Sequence, residues 1–397
     1  MSRVLTKGEV YSRASDRAVV SVARCPTYEK VELETAIREC LGGLGGIQAY
    51  VSKGDRILLK PNMLSAREPE QAITTHPEVV RIAIRLVREA GGTPVVGDTP
   101  SGMTTESILR NLAEKTGIWK ICEEEGVEFV FLIDAEKTPH PSGSVAKSFE
   151  LASVLKNVDG VISLAKFKTH SFTGLTGAVK NLFGLIPGLR KAEYHFRMQS
   201  AEAFSELLVD LAECVKPRLT VMDGIVGMEG EGPSAGKARP LGIILASANV
   251  HALDAFMAEI VGAAPESVPT VQIARRRGLI PSAPGQIEIV GGNRESFRIH
   301  NFKMPGKTRP YGRIPTALGW WFGESVARKP IFSRTKCTMC EMCIDICPAK
   351  ALKKNTRRPR IDRSLCFRCY CCQETCAYSA IKLRRIPGRS LLGLVHR

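Results

Sequence analysis

A chain of 397 residues, 44% hydrophobic and 24% charged, has the balance of a folded protein of two or three domains, which excludes a low-complexity or fibrous sequence. The net charge of +16 is uneven: from Arg328 onward 17 Lys/Arg face 4 Asp/Glu, a balance of +13. The polar start lacks the apolar core of an export signal, and the longest uncharged apolar run, around 241–250, is about half of what a bilayer crossing requires. We therefore expect a soluble, cytoplasmic protein without a transmembrane segment.

In chain order, residues 18–23 predict a strand and 30–44 a helix ending at Gly42-Gly43. The run 56–60 predicts a buried strand stopped by Pro61, and 77–90 an amphipathic helix closed by Gly91-Gly92. Strands follow at 94–97, 127–133 and 158–164, with a helix at 105–115 between the first two. A helix over 203–215 must end before Pro217. Strands at 218–222 and 241–246 precede helices at 252–261 and 268–276. Alternation at this spacing predicts an α/β domain over 1–290, a largely parallel sheet with helices on both faces. Residues 291–330, rich in Gly, Pro and basic residues, read as a linker that packs on one or both domains, with Trp320-Trp321-Phe322 as a docking contact. Residues 331–386 form a second domain, and 387–397 a basic tail.

Charged groups gather after four of the predicted strands. Lys60 and Asn62 follow the second, Asp98, Thr99 and Ser101 the third, Lys166, Lys168 and His170 the fifth, and Asp223 the sixth. In open α/β sheets ligands bind outside the carboxyl ends of strands. Loop lysines are also commonly solvated, and Asp98 has a second reading as the cap of the next helix. Taken as one site, the catalytic set is Lys60, Asn62, Asp98, Lys166, Lys168, His170, Lys180, Asn181 and Asp223. The lysines, His170 and the backbone N–H groups of 97–103 suit an anionic small molecule, a carboxylate or phosphate. His170 suits proton transfer, while Asp223, Glu229, Glu231 and Asp254 suit a base or a cation ligand. The glycine run 41–46 follows a helix and lacks the dinucleotide spacing, and no Walker A loop or Gly-x-Ser-x-Gly elbow is present.

Of 13 cysteines, nine lie between Cys337 and Cys376. In a chain with no export signal that density reads as metal binding. Cys337-x2-Cys340-x2-Cys343-x3-Cys347-Pro348 is repeated 29 residues later as Cys366-x2-Cys369-x2-Cys372-x3-Cys376. Zinc sites use paired knuckles rather than triplets followed by x3-Cys. The repeat closely resembles the bacterial two-cluster ferredoxin. That resemblance implies a small α+β domain with two 4Fe–4S clusters. Its crossed ligation gives Cys337, Cys340, Cys343 and Cys376 to one cluster, and Cys366, Cys369, Cys372 and Cys347 to the other. Ala377 stands where the pattern has proline, and Cys371 is out of register. Cys25, Cys40, Cys122 and Cys214 read as core residues. Anionic clusters offset part of the basic excess, which makes nucleic acid an unfavoured partner and leaves charge for an acidic redox partner.

Residues 17–280 resemble the domain-of-unknown-function 362 family, through Leu59-Lys60-Pro61-Asn62, Thr74-Thr75-His76-Pro77, Val96-Gly97-Asp98, Lys166-x-Lys168-Thr169-His170, Val179-Lys180-Asn181-Leu182-Phe183-Gly184 and Met228-Glu229-Gly230-Glu231-Gly232-Pro233. Members often carry a ferredoxin module, but the resemblance implies no reaction. Three functions fit the sequence. The first is an iron–sulfur oxidoreductase or electron-transfer protein acting on an anionic substrate or cofactor. The second is a non-redox enzyme with structural clusters, and the third a maturation factor that handles metal or a partner protein.

Overall fold

The computed structural model describes residues 18–306 and 328–385. Its first part contains β1 (Val19–Arg24), α1 (Lys30–Gly42), β2 (Arg56–Pro61), α2 (Pro77–Glu89), β3 (Thr93–Val96), α3 (Glu106–Lys115) and α4 (Ile118–Glu125). Then come β4 (Ala135–Pro139), β5 (Ser148–Ala152), β6 (Gly160–His170), β7 (Gly174–Thr176), α5 (Ala178–Asn181), α6 (Arg190–Arg197) and α7 (Ala201–Val215). β8 (Leu219–Glu229), β9 (Lys237–Ser247), α8 (Val250–Ile260), α9 (Pro269–Arg276) and β10 (Glu288–Val290) complete it.

Eight strands form one sheet in the order β10-β1-β9-β8-β6-β2-β3, with β7 paired to β6. The pairings β2–β3, β2–β6, β6–β8 and β1–β10 are parallel, and only β9 and short β7 run against the rest. Side chains alternate between the two faces of a strand. On β2, Ile57 and Leu59 join a core with Val79, Leu86, Leu112 and Ile121 of α2–α4. Leu58 joins the opposite core with Leu208 of α7 and Phe256 of α8. Both faces are therefore covered, as the apolar pattern predicted. Local chemistry sets the helix starts: Pro77 opens α2, Thr105 Oγ1 accepts from Ile108 N to cap α3, and Asn249 caps α8.

Two expectations are corrected. Residues 127–133 form no strand; one bridge joins Phe129 to Val96, because this segment runs past the end of a four-residue edge strand. β6 and β8 each run to 11 residues, so Lys166, Lys168 and His170 lie within β6, and Asp223 lies within β8, rather than after them. Part of the expected linker packs on the sheet domain: Phe297 is buried and the Phe302 ring meets Phe167 edge-on at 6.0 Å. Trp320-Trp321-Phe322 and the tail 387–397 lie outside the described residues.

The C-terminal module contains β11 (Arg328–Phe332), α10 (Met342–Asp345), β12 (Leu352–Lys353), β13 (Arg360–Ile361), α11 (Cys371–Thr375) and β14 (Ile381–Arg385). β11 pairs with β14 and β12 with β13, both antiparallel. The 29-residue repeat is present in the backbone. Met339, Glu341 and Lys350 adopt positive φ, and so do Arg368, Tyr370 and Ser379, one period later.

Candidate functional site

Pairing of β2 with β6 stops at Pro61 opposite Leu164. The remainder of β6 projects beyond that edge, and every second residue on it is basic: Lys166, Lys168, His170. Loops from β2, β3 and α5 close around it. Lys60, Lys166 and Lys168 are at most 1% exposed, so each must have its charge answered or lose it.

One polar chain runs across the carboxyl end of β2. Lys60 Nζ is 2.7 Å from Asp98 Oδ1 and donates to Asn181 Oδ1 at 3.2 Å. Asn62 Nδ2 donates to the same Asn181 oxygen at 3.1 Å, and Asn62 Oδ1 accepts from Lys168 Nζ at 2.6 Å. Asp98 also accepts from Met63 N, which rules out its second reading as the cap of α3; Thr105 fills that place. Gly184 makes the arrangement possible. A Cβ there would stand 2.1 Å from Asp98 Oδ1 and 2.6 Å from Lys60 Nζ.

A separate chain holds Lys166 and Asp223, which pair at 2.7 Å. Tyr28 Oη donates to Asp223 at 2.8 Å and accepts from Lys166 at 3.0 Å, while its ring stacks on His76 at 3.7 Å. Seven of the nine residues thus divide into two groups, while His170 faces Glu374 and Lys180 stands over Phe183. Asp223 is satisfied by Lys166, Tyr28 and the His76 N–H. Asp254 caps α5 through the N–H groups of Ala178 and Val179, with its carboxyl pushed up to about 7 by burial. Glu229 pairs with Arg239 and Glu231 with Arg328. Among the described residues these acids do not converge on a cation.

Lys168 differs from its neighbours. It binds only Asn62 Oδ1 and the Ile73 carbonyl, and burial, with Lys180 and Lys166 nearby, holds its pKa well below the usual lysine value. Lys180 stands over the Phe183 ring at 5.4 Å. His170 Nδ1 accepts from Phe172 N and Thr173 N, which puts the ring proton on Nε2. That nitrogen lies 3.0 Å from Glu374 Oε1 on α11. Burial alone would raise the Glu374 pKa; Lys180 and His170 outweigh it and hold the carboxyl below its ordinary range. Burial and Lys180 bring His170 down to about 4, so the pair is carboxylate and neutral imidazole.

Three contributors escaped the sequence reading: Tyr28, whose hydroxyl bridges Lys166 and Asp223, Glu374 and Lys191. Glu374 lies among the cysteines, where its neighbours drew the attention. Lys191 sits in the basic helix α6, which reads as a surface element. Yet it is buried, donates to the carbonyls of Thr99 at 2.5 Å and Pro100 at 2.8 Å, and is brought by burial to about 7. The 97–103 stretch thus turns carbonyls toward a lysine, where N–H groups facing an anion were expected.

α11 is seated on the sheet domain by a glycine-rich socket. Ser234 Oγ donates to the Gln373 carbonyl, and Gln373 Nε2 donates to the Glu231 carbonyl. Gly232 lets this loop close on β6, since a Cβ there would meet Thr169 O at 2.1 Å. Arg67 reaches Ser379 Oγ at 3.0 Å, and Tyr370 lies in the main core. Within the module, Cys347, Cys366, Cys369, Cys371 and Cys372 line one hollow, and Cys337, Cys340, Cys343 and Cys376 line another. Matching N–H···S contacts of 3.3 Å join Ala351 to Cys347 and Ala380 to Cys376.

The family described as "Domain of unknown function (DUF362)" matches residues 57–259. The chain belongs to the DUF362 family. A 4Fe–4S binding domain matches residues 330–353, which makes this an iron–sulfur member. The thylakoid-associated protein sll1697 of Synechocystis sp. is 34% identical over 298 residues, 73% of this chain and 89% of that protein. Two solved structures are similar at 13% identity. One is the lactate racemase apoprotein from Thermoanaerobacterium thermosaccharolyticum, with a TM-score of 0.35 over 62% of this chain and 53% of that one. The other is a Thermotoga maritima protein, with a TM-score of 0.33 over 55% of each. The chain spans about half the length of either. The DUF362 match includes all nine predicted site residues and the Glu229–Pro233 socket; Glu374 lies outside it, in the module. Among the described residues no helix is long and apolar enough to cross a membrane.

Proposed function

We propose that this DUF362 member is an iron–sulfur oxidoreductase that acts on an anionic substrate or cofactor at the carboxyl end of β2 and β6. The observation that carries the reading is the insertion of Glu374, which lies between the cluster cysteines Cys372 and Cys376, against His170. A module that only stapled the fold would have no need to aim its α11 at the most basic buried point of the sheet domain.

Four thiols of the repeat around each hollow, with one N–H group directed at a sulfur of each set, fit a 4Fe–4S cluster apiece. We assign Cys337, Cys340, Cys343 and Cys376 to one, and Cys366, Cys369, Cys372 and Cys347 to the other. When bound, such clusters supply single electrons at low potential. The remaining chemistry belongs to the sheet domain. Lys180, which has no carboxylate in direct contact among the described residues, offers positive charge to a carboxylate or phosphate, and Lys168, its pKa lowered by burial, offers an amine that can take up a proton. Asn62 and Asn181 orient Lys60 and Lys168 through a shared amide bridge. His170 holds a proton on Nε2 at the side facing the module. Domain limits of 1–290 and 331–386 follow the same division of labour. The free thiols Cys25, Cys40, Cys122 and Cys214 support a reducing, cytoplasmic setting.

Anaerobic reconstitution followed by EPR-monitored redox titration tests the reading. About eight iron and eight sulfide per chain are expected, with signals that appear on reduction and change shape in Lys168→Met. Clusters that form in full but accept no electron at the potential of dithionite would return the module to a structural role.

A further inference from the structure

The hairpin β12–β13 has two sides of opposite character. Leu352 and Ile361 wall the hollow lined by Cys347, Cys366, Cys369 and Cys372. Pro359, in its loop, walls the hollow lined by Cys337, Cys340, Cys343 and Cys376. A single short hairpin therefore closes over both cysteine quartets. Its outward residues are Lys353, Lys354, Arg357, Arg360 and Arg363, five exposed cations within eleven residues.

Local acids answer little of this charge. Glu341 pairs with Lys354. The Asp362 carboxylate turns back to Ser364, accepting from its N–H at 3.0 Å and its hydroxyl at 2.6 Å. Lys353, Arg357, Arg360 and Arg363 form no ion pair with another described residue. Holding so many like charges together costs self-repulsion, and a surface with no partner gains nothing from it.

We propose that this cationic hairpin is the docking surface for an acidic redox protein, which exchanges electrons with the cysteine-held centres directly beneath it. The inference rests on the redox reading above and adds to it where electrons come in and what kind of partner brings them. The transfer balances simply: the donor loses one electron, the centre gains one, and no bond or proton moves. Charge complementarity steers such encounters and raises their rate more than their affinity. The surface fits a protein better than other polyanions. The hairpin has no aromatic side chain on which bases would stack. The exposed large apolar residues of the described module are Met342, Leu365 and Tyr378, too few to insert into a bilayer.

The test uses the reconstituted full chain under anaerobic conditions. A fluorescently labelled plant-type ferredoxin, an acidic one-electron carrier, serves as the probe. Its binding is measured at low and at moderate salt against three proteins. These are the unaltered chain, the charge-reversed Lys353→Glu/Lys354→Glu/Arg357→Glu/Arg360→Glu/Arg363→Glu variant, and a control, Lys30→Glu/Lys115→Glu, altered at two exposed lysines of the sheet domain. The unaltered chain and the control should bind and lose about tenfold or more in affinity as salt rises through the physiological range. The reversed variant should bind at least about tenfold more weakly at low salt, with little salt dependence and an unchanged cluster EPR spectrum. Equal binding by all three proteins overturns the proposal. So does probe-independent binding to vesicles of phosphatidylcholine with phosphatidylglycerol, which would make the hairpin a lipid contact. If dithionite reduces no cluster, the redox reading fails by its own measurement; if the clusters are reduced and the reversed variant binds normally, only the docking surface fails.

Discussion

Glu374 Oε1 stands 3.0 Å from His170 Nε2, joining a residue between two cluster cysteines to one at the end of a strand in another domain. Both side chains are at most 3% exposed. A carboxylate in such a place persists because Lys180, His170 and His195 face it; alone it would take up a proton.

Glu374→Gln keeps the shape and removes the charge. It should lower the stability of the anaerobically purified protein by roughly 1–3 kcal/mol, without loss of iron. A double-mutant cycle with His170→Gln checks the cause. A coupling above about 0.5 kcal/mol is expected for residues in contact. Additive losses would mean that Glu374 acts through packing alone.

Gly184→Ala tests the close approach over the Lys60–Asp98 pair. The new methyl cannot avoid Asp98 Oδ1, and that oxygen belongs to an ion pair inside a packed core. Either the 182–185 turn or the pair must shift. A loss of roughly 1–3 kcal/mol in thermal or denaturant unfolding is expected, typical of overpacking. Asp98→Asn in the same background should recover little, because the amide is as large as the carboxylate.

How much of this was legible beforehand depended on what each residue's neighbours do. Ile57, Leu58 and Leu59 read as a buried strand because strand alternation and burial on both faces leave an unbroken apolar run. Thr105 and Pro77 marked helix starts for local reasons. The full length of β6 was not legible. Lys166, Lys168 and His170 look like loop residues until Asp223, Asn62, Ile73 and Glu374, all distant in sequence, answer their polar groups. The hairpin β4–β5 was missed because its first strand, Ala-Glu-Lys-Thr-Pro, carries no apolar alternation. The lysines and asparagines of the site were identified by residue type and position, but which of them bond to one another depends on partners distant in sequence. Glu374 and Lys191 gave no sequence signal, since their burial is created by docking of α11 and by the 97–103 loop.

Lys191 gives the protein a specific pH dependence. Burial lowers its pKa from the ordinary 10.5 to about 7 in the folded chain. Between these values the unfolded chain binds more protons than the folded one, so stability rises with pH across that window. Below about pH 7 both states are protonated, and the penalty for burying the charge is at its full, constant value. Lys191→Met removes this contribution. Subtracting its stability-against-pH curve from that of the unaltered protein should leave a difference that climbs between pH 7 and 10, by an amount on the order of a few kcal/mol. A flat difference would show that Lys191 keeps an ordinary pKa and stays charged against the Thr99 and Pro100 carbonyls.

Cys371 and Cys369 stand two residues apart on the same turn, and only one of them belongs to the repeat. Cys369 lies in register with Cys340 and lines the same hollow as Cys347, Cys366 and Cys372. Cys371 also borders that hollow, and both thiols pack with Ala192 of α6 and Ile346 of α10, so the register of the repeat alone separates them. The crossed assignment therefore predicts different outcomes for two neighbouring thiols. Cys369→Ala should reduce iron content from about eight to about four atoms per chain, with one EPR signal lost. Cys371→Ala should keep all eight and cost about 1 kcal/mol of stability from lost packing. Should Cys371→Ala halve the iron instead, the register of the second half is shifted and Cys371 is the ligand in place of its neighbour.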